Sequence, residues 1–349
     1  MEAAMAKTPQ AYFQEVARYK TEPLWMRLAE VLTNEPPVRA LPCLWRYADI
    51  RPLLLRAGEL LTAAEAERRV LMLMNPGLEG EVAATQTLYA GLQLILPSEI
   101  APTHRHSPAA FRFIVEGEGA YTSVNGERLI MHPGDLILTP AWAWHDHGNE
   151  TDAPTVWLDG LDVPLVKGLG AVFAQPYAAG THPVARPDNA SLGLYGAGGM
   201  LPLGAAHDGP HSPLPIYPWK QARTALEQAG APTTPHDGVI FEYVNPLTGG
   251  PIFPTMSAYV QMLRPGEQTR RHRHMSSHVM HVVSGSGVSI IGDARLEWRA
   301  KDTFAQPGWM WHEHRNLSAS ELAFLFSFSD RPVLERCGLY REEDRGPQG

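Results

Sequence analysis

The chain has 349 residues, of which 44% are hydrophobic and 19% charged, a composition typical of a folded protein with a buried core. Its net charge of −8 disfavours nucleic acid as a partner, because an acidic surface repels phosphate. Two distant cysteines exclude a disulfide framework and a cysteine-based zinc motif. The sequence shows no signal peptide and no apolar segment long enough to cross a membrane, so we expect a cytoplasmic protein.

The first part of the chain is predicted to be mainly helical. Apolar residues recur at helical spacing over 11–32 and 50–61. Thr62 precedes Glu65 by three residues, which is the pattern of a capping box at the start of a helix. A helical N-terminal segment is therefore predicted over 1–92.

Short apolar or alternating segments, separated by Gly, Pro and Asn, begin near residue 93. They favour an antiparallel sandwich or barrel over 93–174. A connection rich in Pro, Gly and Ala follows over 175–237, with one helix near 219–228. The short strands then resume over 238–335, and a tail is predicted over 336–349.

The two β-rich segments are repeats of one another. His-Arg-His occurs at 104–106 and again at 272–274, an offset of 168 residues. Residues 140–149 match 307–316 at seven of ten positions, at an offset of 167. The chain therefore contains two copies of one β-domain, here called copy one (93–174) and copy two (238–335).

Three histidines are predicted to converge in copy one. His104 and His106 lie two residues apart, so a strand points both side chains to the same face. His145 follows a few strands later, where an antiparallel barrel can return beside the first strand. Three neutral imidazoles favour a divalent first-row metal with coordination positions left open. The equivalent residues of copy two are candidates for a second metal: His272, His274 and His312.

The histidine windows resemble the two sequence motifs of the cupin superfamily, with Gly134, Pro140, His145 and Asn149 at the family's spacing. No carboxylate follows His-x-His within 107–111, which favours cupin dioxygenases over the oxalate-degrading type. Nearly the whole chain is similar to gentisate 1,2-dioxygenases, with salicylate and 1-hydroxy-2-naphthoate dioxygenases as close relatives. The segments that carry this resemblance are 44–47, 53–60, 67–71, 75–78, 102–106 and 242–250.

This resemblance implies a mainly β bicupin fold, with two antiparallel barrel domains after a helical segment. It also implies one Fe(II) per chain, in copy one, and a homotetramer. The implied reaction is the O2-dependent opening of gentisate (2,5-dihydroxybenzoate) between C1 and C2 to maleylpyruvate, in aromatic catabolism. The alternatives are the same chemistry on salicylate or 1-hydroxy-2-naphthoate, a non-enzymatic bicupin that binds a metal or ligand, and a cupin isomerase or decarboxylase.

The substrate carboxylate calls for a cationic pocket. Arg112 follows His106 by an even number of residues, so an unbroken strand turns it inward, and a guanidinium binds carboxylate bidentately. The resemblance adds one of the pair Arg68 and Arg69, with Arg68 preferred. It also implies that Tyr89, Gly91 and Gln93 wall the ring pocket, and we expect His147 and Asp159 to take part in acid–base or hydroxyl-binding steps.

The copies differ at positions that matter for this pocket. Met280 occupies the place of Arg112, and Lys301 that of Gly134. Catalysis is therefore predicted in copy one. Copy two could hold a metal without activity, serve structure and oligomerisation, or be a second active site. His278 and His281 could add ligands there, but we expect core or surface roles for both.

Overall fold

A computed structural model of the chain describes residues 8–207 and 209–344. The chain divides into two compact units, residues 1–38 and 39–349. Within the described ranges, no helix has the length and apolar character needed to span a membrane. The predicted fold class is confirmed, since antiparallel strands dominate and form paired sheets in both copies.

The first unit holds two helices, α1 (Pro9–Arg18) and α2 (Leu28–Val31), with a 3₁₀ turn at Leu24–Met26. The side chain of Thr8 caps α1. The helix predicted over 11–32 is interrupted because Lys20 adopts a left-handed conformation (φ 55°) and Pro23 has no amide hydrogen to donate.

The second unit contains the remaining helices, which are α3 (Tyr47–Leu60), α4 (Ala63–Ala66), α5 (Val163–Gly168), α6 (Ala190–Tyr195), α7 (Trp219–Gln228) and α8 (Arg331–Arg336). The capping box predicted at the start of α4 is present. Thr62 Oγ1 accepts from the Glu65 amide at 3.2 Å, and the Glu65 carboxylate accepts from the Thr62 amide at 2.9 Å.

Twelve strands precede copy two in the described part of the chain. They are β1 (Cys43–Trp45), β2 (Arg69–Met72), β3 (Tyr89–Ile95), β4 (Ile100–His106), β5 (Ala110–Glu116), β6 (Tyr121–Val124), β7 (Glu127–Ile130), β8 (Leu136–Thr139), β9 (His145–Gly148), β10 (Thr155–Leu161), β11 (Ala174–Pro176) and β12 (Ile216–Tyr217).

The later strands are β13 (Val239–Glu242), β14 (Ser257–Leu263), β15 (His272–His274), β16 (His278–Ser284), β17 (Ser286–Ile291), β18 (Ala294–Arg299), β19 (Thr303–Gln306), β20 (His312–Asn316), β21 (Ala323–Ser329) and β22 (Glu342–Asp344). The strands β1, β12 and β22 thus add to the segments predicted as helical, connecting and tail. Each has two or three residues and pairs with a distant strand, so no local pattern marks it.

Each copy is a sandwich of one six-stranded and one five-stranded sheet. The orders are β12-β8-β5-β10-β3-β2 and β11-β4-β9-β6-β7 in copy one, and β1-β19-β16-β21-β14-β13 and β18-β17-β20-β15-β22 in copy two. In copy one, Ile114 and Trp157 of the larger sheet pack with Val124 and Leu129 of the smaller one. This packing closes the layers around an apolar core at one end and leaves the histidine strands at the other.

The two copies exchange their leading strands. The strand β1, which lies ahead of copy one, extends the larger sheet of copy two by pairing with β19. The strand β12, which lies ahead of copy two, extends the larger sheet of copy one by pairing with β8. Each larger sheet therefore needs a strand that belongs, by sequence order, to the other repeat.

The helices that follow these strands are held in the same reciprocal way. The carboxylate of Asp302, in copy two, accepts a hydrogen bond at 2.9 Å from the amide of Tyr47, the first residue of α3. At the equivalent position of copy one, Asp135 accepts at 2.8 Å from the amide of Trp219, the first residue of α7. A carboxylate at a helix N-terminus also interacts favourably with the helix dipole.

A second pair of buried carboxylates joins the copies. Asp330 of copy two accepts from the hydroxyl of Thr87 at 2.5 Å, and Asp162 of copy one accepts from the hydroxyl of Thr255 at 2.5 Å. Between them lies a shared apolar core in which the ring of Phe113 stacks on that of a copy-two phenylalanine, Phe326, at 4.1 Å. The copies therefore form one folding unit.

Replacing Asp302 by Ala should lower the free energy of unfolding by roughly 2–4 kcal/mol, because two backbone amides lose a charged acceptor and one of them is buried. Asp135→Ala should have an effect of similar size, since its contacts are equivalent. Urea unfolding followed by tryptophan fluorescence measures both, with the exposed Asp152→Ala as the control. A loss below 0.5 kcal/mol for both variants would show that the reciprocal helix contacts contribute little to stability.

Candidate metal centre and active site

Two adjacent strands of copy one bring three histidines together. The strand β4 carries His104 and His106 on one face, and its partner β9 begins at His145, directly opposite His104. Ring centroids lie 5.4 Å apart for His104 and His106, 4.3 Å for His104 and His145, and 4.8 Å for His106 and His145. One nitrogen of each ring lies within 4.8 Å of the others, close enough to share a metal ion.

The backbone orients two of these rings for coordination. Nδ1 of His106 lies 2.7 Å from the carbonyl oxygen of Pro108, and Nδ1 of His145 lies 3.0 Å from that of Ala143. Each Nδ1–H can donate to its carbonyl, which leaves Nε2 as the free lone pair. Nε2 of His145 is buried and has no hydrogen-bond partner among the described residues, as expected of a nitrogen kept for a metal.

Burial keeps the three imidazoles neutral. It lowers the pKa of His104 to about 3 and that of His106 to about 4, and it lowers the pKa of His145 well below its usual value. The nearby Arg68 and Arg112 guanidiniums contribute in the same direction. Neutral imidazoles are the form that binds a metal, so these residues fit a divalent first-row ion.

The triad opens onto a cavity of about 320 Å³. The residues that line it are Arg68, Val70, Val82, Tyr89, Gln93, His104, His106, Ala110, Arg112, His145, Asp159, Leu161 and Val163. Most of the residues predicted from the sequence are therefore gathered around one space. The aliphatic members add an apolar wall suited to an aromatic ring.

Strand register places three residues side by side beneath this cavity. Asp159 of β10 lies opposite Gly91 of β3 on one side and opposite Arg112 of β5 on the other. Residues in register share a face of the sheet, so this row, Gly91–Asp159–Arg112, faces the triad. The unbroken β5 carries Arg112 inward, as its even spacing from His106 predicts.

Arg112 is buried and held at both ends of its guanidinium. Its Nη1 donates to Thr139 Oγ1, and its Nε lies 3.7 Å from a carboxylate oxygen of Asp159. Nε itself has no hydrogen-bond partner in the described chain. Burial lowers the Arg112 pKa, so an anion in the cavity would stabilise its charge.

Arg68 brings a second guanidinium to the same cavity. Its Nη2 lies 2.8 Å from the carbonyl oxygen of Pro102 and 2.6 Å from Nδ1 of His104. Burial, together with the charge of Arg112, lowers the Arg68 pKa to about 10. Two guanidiniums that lower each other's pKa form a site whose charge is completed by an anionic ligand.

The choice between Arg68 and Arg69 is resolved by the strand β2. Arg69 points away from the cavity and pairs with the carboxylate of Glu99. Its neighbour Arg68, which precedes the strand, turns toward the triad. Adjacent residues face opposite sides of a strand, so only one member of the pair can enter the cavity.

Asp159 is the acidic group of the cavity. The indole of Trp157 donates to one of its oxygens at 3.0 Å. Burial raises the Asp159 pKa to about 6, although Arg112 opposes this shift. A carboxyl group with a pKa near 6 can accept a proton at neutral pH and return it.

Tyr89 and Gln93 line the cavity from β3, and Gly91 lies between them. A Cβ atom at Gly91 would lie 2.7 Å from the Tyr89 hydroxyl and 2.6 Å from a methyl carbon of Val70. Glycine is therefore needed for Tyr89 to fold across the sheet.

His147 is fully buried behind His145, with ring centroids 6.0 Å apart. Its Nδ1 lies 3.0 Å from Thr122 Oγ1, and its Nε2 has no partner among the residues described. It shares the face of His145, as the spacing predicts, but does not itself line the cavity.

Sequence reasoning did not identify Val82, Thr139 or Leu161. Leu161 lies two residues beyond Asp159, so strand alternation could have placed it on the cavity face. Val82 lies in the irregular segment before β3, where no periodicity exists. Thr139 acts only through its contact with Arg112, which no sequence pattern reveals.

Copy two repeats the histidine geometry closely. Centroid distances are 5.3 Å for His272 and His274, 4.3 Å for His272 and His312, and 4.8 Å for His274 and His312. All three side chains are buried. His278 lies against His274, whereas His281 bonds to Thr303 and lies outside the triad.

The row beside this second triad is different. Tyr259, Ser327 and Met280 occupy the positions of Gly91, Asp159 and Arg112. Both charges of copy one's row are thus lost, and the glycine is replaced by a large ring. The predicted restriction of catalysis to copy one accords with this difference.

The cupin domain model matches the chain twice, at residues 91–162 and 259–328. Over 97% of both chains, the sequence is 44% identical to gentisate 1,2 dioxygenase 1 of Aquipseudomonas alcaligenes. It is 42% identical to 5-aminosalicylate 1,2-dioxygenase of a Comamonas species, over 95% of this chain and 89% of that one. Among solved structures, salicylate 1,2-dioxygenase from Pseudoaminobacter salicylatoxidans, in adducts with gentisate, superposes with a TM-score of 0.91 at 33% identity, covering 98% of this chain and 95% of that one.

Proposed function

The chain belongs to the cupin family of ring-cleaving dioxygenases that includes the gentisate 1,2-dioxygenases, and from this premise we propose that its substrate is gentisate, opened by O2 between C1 and C2 to maleylpyruvate. As a member, it is a ring-cleaving dioxygenase. The observation that carries the substrate proposal is the single cavity in which the histidine triad, two guanidiniums and one carboxylate meet.

The proposed metal is one Fe(II) per chain, held by His104, His106 and His145. When bound, a ferrous ion supplies the redox centre through which an aromatic ring and O2 can react, which zinc cannot do. The three neutral donors and the unpartnered Nε2 of His145 support this assignment. Three protein ligands leave positions open for small molecules.

Arg112 and Arg68 are proposed to bind the substrate carboxylate. Their guanidiniums lie on the cavity wall beside the triad and lower each other's pKa, so a carboxylate between them relieves the repulsion. A planar guanidinium also fixes the orientation of the carboxylate plane. The ring would then lie against Tyr89, Gly91 and Gln93, along the wall that β3 supplies.

Asp159 is proposed to accept a proton from a ring hydroxyl and to hold it near Arg112. Its pKa of about 6 suits this role at neutral pH. His147 stays a prediction as an acid–base group, and its position behind His145 equally suits support of that ligand. The homotetramer and the cytoplasmic location also stay predictions, since they rest on the family resemblance.

A substrate panel tests the proposal, with gentisate, salicylate, 5-aminosalicylate and 1-hydroxy-2-naphthoate as candidates. With Fe(II) supplied, gentisate should give the highest kcat/KM, measured by O2 uptake and by the absorbance of maleylpyruvate. If another member of the panel turns over and gentisate gives no product, the substrate proposal is wrong while the enzyme class stands. The dioxygenase relatives argue against the remaining alternatives, a non-enzymatic bicupin and a cupin isomerase or decarboxylase.

Arg112→Gln should lower kcat/KM for gentisate by about 10- to 100-fold, because a charge-assisted hydrogen bond contributes roughly 1.5–3 kcal/mol. Bound iron should stay at the wild-type level, since Arg112 is not a ligand. The control is Arg105→Gln, whose side chain lies on the same strand as the triad but stacks outward on Trp142 and Trp144. Equal kinetics for the two variants would remove Arg112 from substrate binding.

The acid side of the pH profile should report on Asp159. Burial raises its pKa to about 6, so kcat/KM should fall as the pH drops below 6 and the carboxylate takes up a proton. Asp159→Asn should lower kcat/KM at neutral pH and abolish this inflection. Asp162→Asn is the matched control, because burial also raises that pKa to about 6 but Asp162 bonds to Thr255 between the copies. An inflection that survives in Asp159→Asn would assign it to another group.

A further inference from the structure

The second histidine triad has the same backbone support as the first. Nδ1 of His274 lies 2.9 Å from the carbonyl oxygen of Ser276, and Nδ1 of His312 lies 2.9 Å from that of Met310. Nε2 of each ring is thereby left as the free lone pair. The three side chains offer donors within 4.8 Å of one another, all in the buried interior of copy two.

A fourth polar group points at this cluster. Gln306, the last residue of β19, is buried, and its side-chain nitrogen lies 3.2 Å from Nε2 of His312. Its carbonyl oxygen is also buried and has no hydrogen-bond partner among the described residues. A half-turn of the amide exchanges its oxygen and nitrogen, which brings the oxygen to the same distance from His312.

This distance is the one expected between two ligands of one ion. Donors bound at about 2.1 Å, at angles between octahedral and tetrahedral, lie roughly 3.0–3.4 Å apart. The equivalent position of copy one is Thr139, whose hydroxyl instead accepts from Arg112. Because Met280 replaces that arginine, position 306 has no such contact to make and can turn toward the histidines.

The surroundings of the second triad leave little room for an aromatic substrate. The rings of Tyr259 and His278 lie 5.7 Å apart, where copy one has Gly91 and Ala110. The strand β22 pairs along β15 and places Glu342 opposite His274. Carboxylates rather than guanidiniums act on this triad, since Asp237 and Glu342 oppose the lowering of the His272 pKa. A dication here needs no anionic ligand from solution.

We propose that copy two holds a second divalent first-row metal ion, bound by His272, His274, His312 and the side-chain oxygen of Gln306, in a closed site. The ion ties β15, β19 and β20 together beneath β22. It stabilises copy two and takes no part in ring cleavage. The site uses four neutral donors, a set that suits zinc, nickel or iron more than magnesium or calcium.

Metal content per chain tests the site independently of activity. After chelation, reloading with Zn²⁺ and removal of free ion, wild-type protein should hold two ions per chain by mass spectrometry of the elements. His106→Ala should hold one, and His106→Ala combined with His274→Ala should hold none. His106→Ala combined with His281→Gln is the matched control, because it removes a buried histidine outside the triad and should keep one ion.

A wild-type protein that saturates at one ion, together with a His106→Ala protein that holds none, would overturn the second site. Should His274→Ala fail to fold, the wild-type and His106→Ala stoichiometries decide the question alone. Stripping the ion from His106→Ala protein should also lower its Tm, because an ion bound to the folded state stabilises it. An unchanged Tm would contradict the stabilising role.

The fourth ligand is tested in the His106→Ala background by competition for Zn²⁺ with a coloured chelator. Gln306→Leu should weaken binding by about 10-fold or more, since loss of even an indirect supporting contact costs that much. Gln306→Glu retains an oxygen donor and adds a charge, so it should bind at least as tightly as the parent. If Gln306→Leu binds with the parent's affinity, Gln306 is not a ligand.

Discussion

The reciprocal exchange of strand and helix between the copies is the constraint on which both histidine sites depend. The exchanged strands β1 and β12 pair with β19 and β8, the strands that end at Gln306 and Thr139. Those two residues contact His312 and Arg112 respectively. A strand donated by one repeat therefore sits beside the strand that supports the site of the other. The carboxylates that fix α3 and α7 and the shared phenylalanine core hold this arrangement rigid.

Within that common frame, a few substitutions separate the two sites chemically. The histidine geometry is the same to within about 0.1 Å in ring separation. In copy one the adjacent row is Gly91–Asp159–Arg112, which leaves space and supplies charge of both signs. In copy two the row is Tyr259–Ser327–Met280, which fills the space and supplies no charge. The fold thus fixes where a metal can lie, and the residues across three neighbouring strands decide what can approach it.

Much of this could be predicted from the sequence because the informative signals are local. Duplicated His-x-His motifs and strand alternation were sufficient to bring His104, His106 and Arg112 to one face, and the capping box at Thr62 was correctly placed. The exchanged strands could not be predicted, since two or three residues carry no periodicity and their partners lie far along the chain. The pairing of Arg69 with Glu99, which leaves Arg68 to the cavity, and the support of Arg112 by Thr139 are tertiary contacts without a local signature.

The capping of α3 by Asp302 has a consequence for biosynthesis. Tyr47 and Asp302 are separated by 255 residues, so the first helix of the second unit must wait for most of the chain to be synthesised before its N-terminus finds its acceptor. At a translation rate of about 5–20 residues per second, that interval lasts roughly 13–50 s. During it β1 is an unpaired edge on the nascent chain, exposed to chaperones and to the same strand in neighbouring polysomes. A catalytically silent repeat is thus retained under selection for foldability, because deleting it would leave the working repeat's leading strand without a partner.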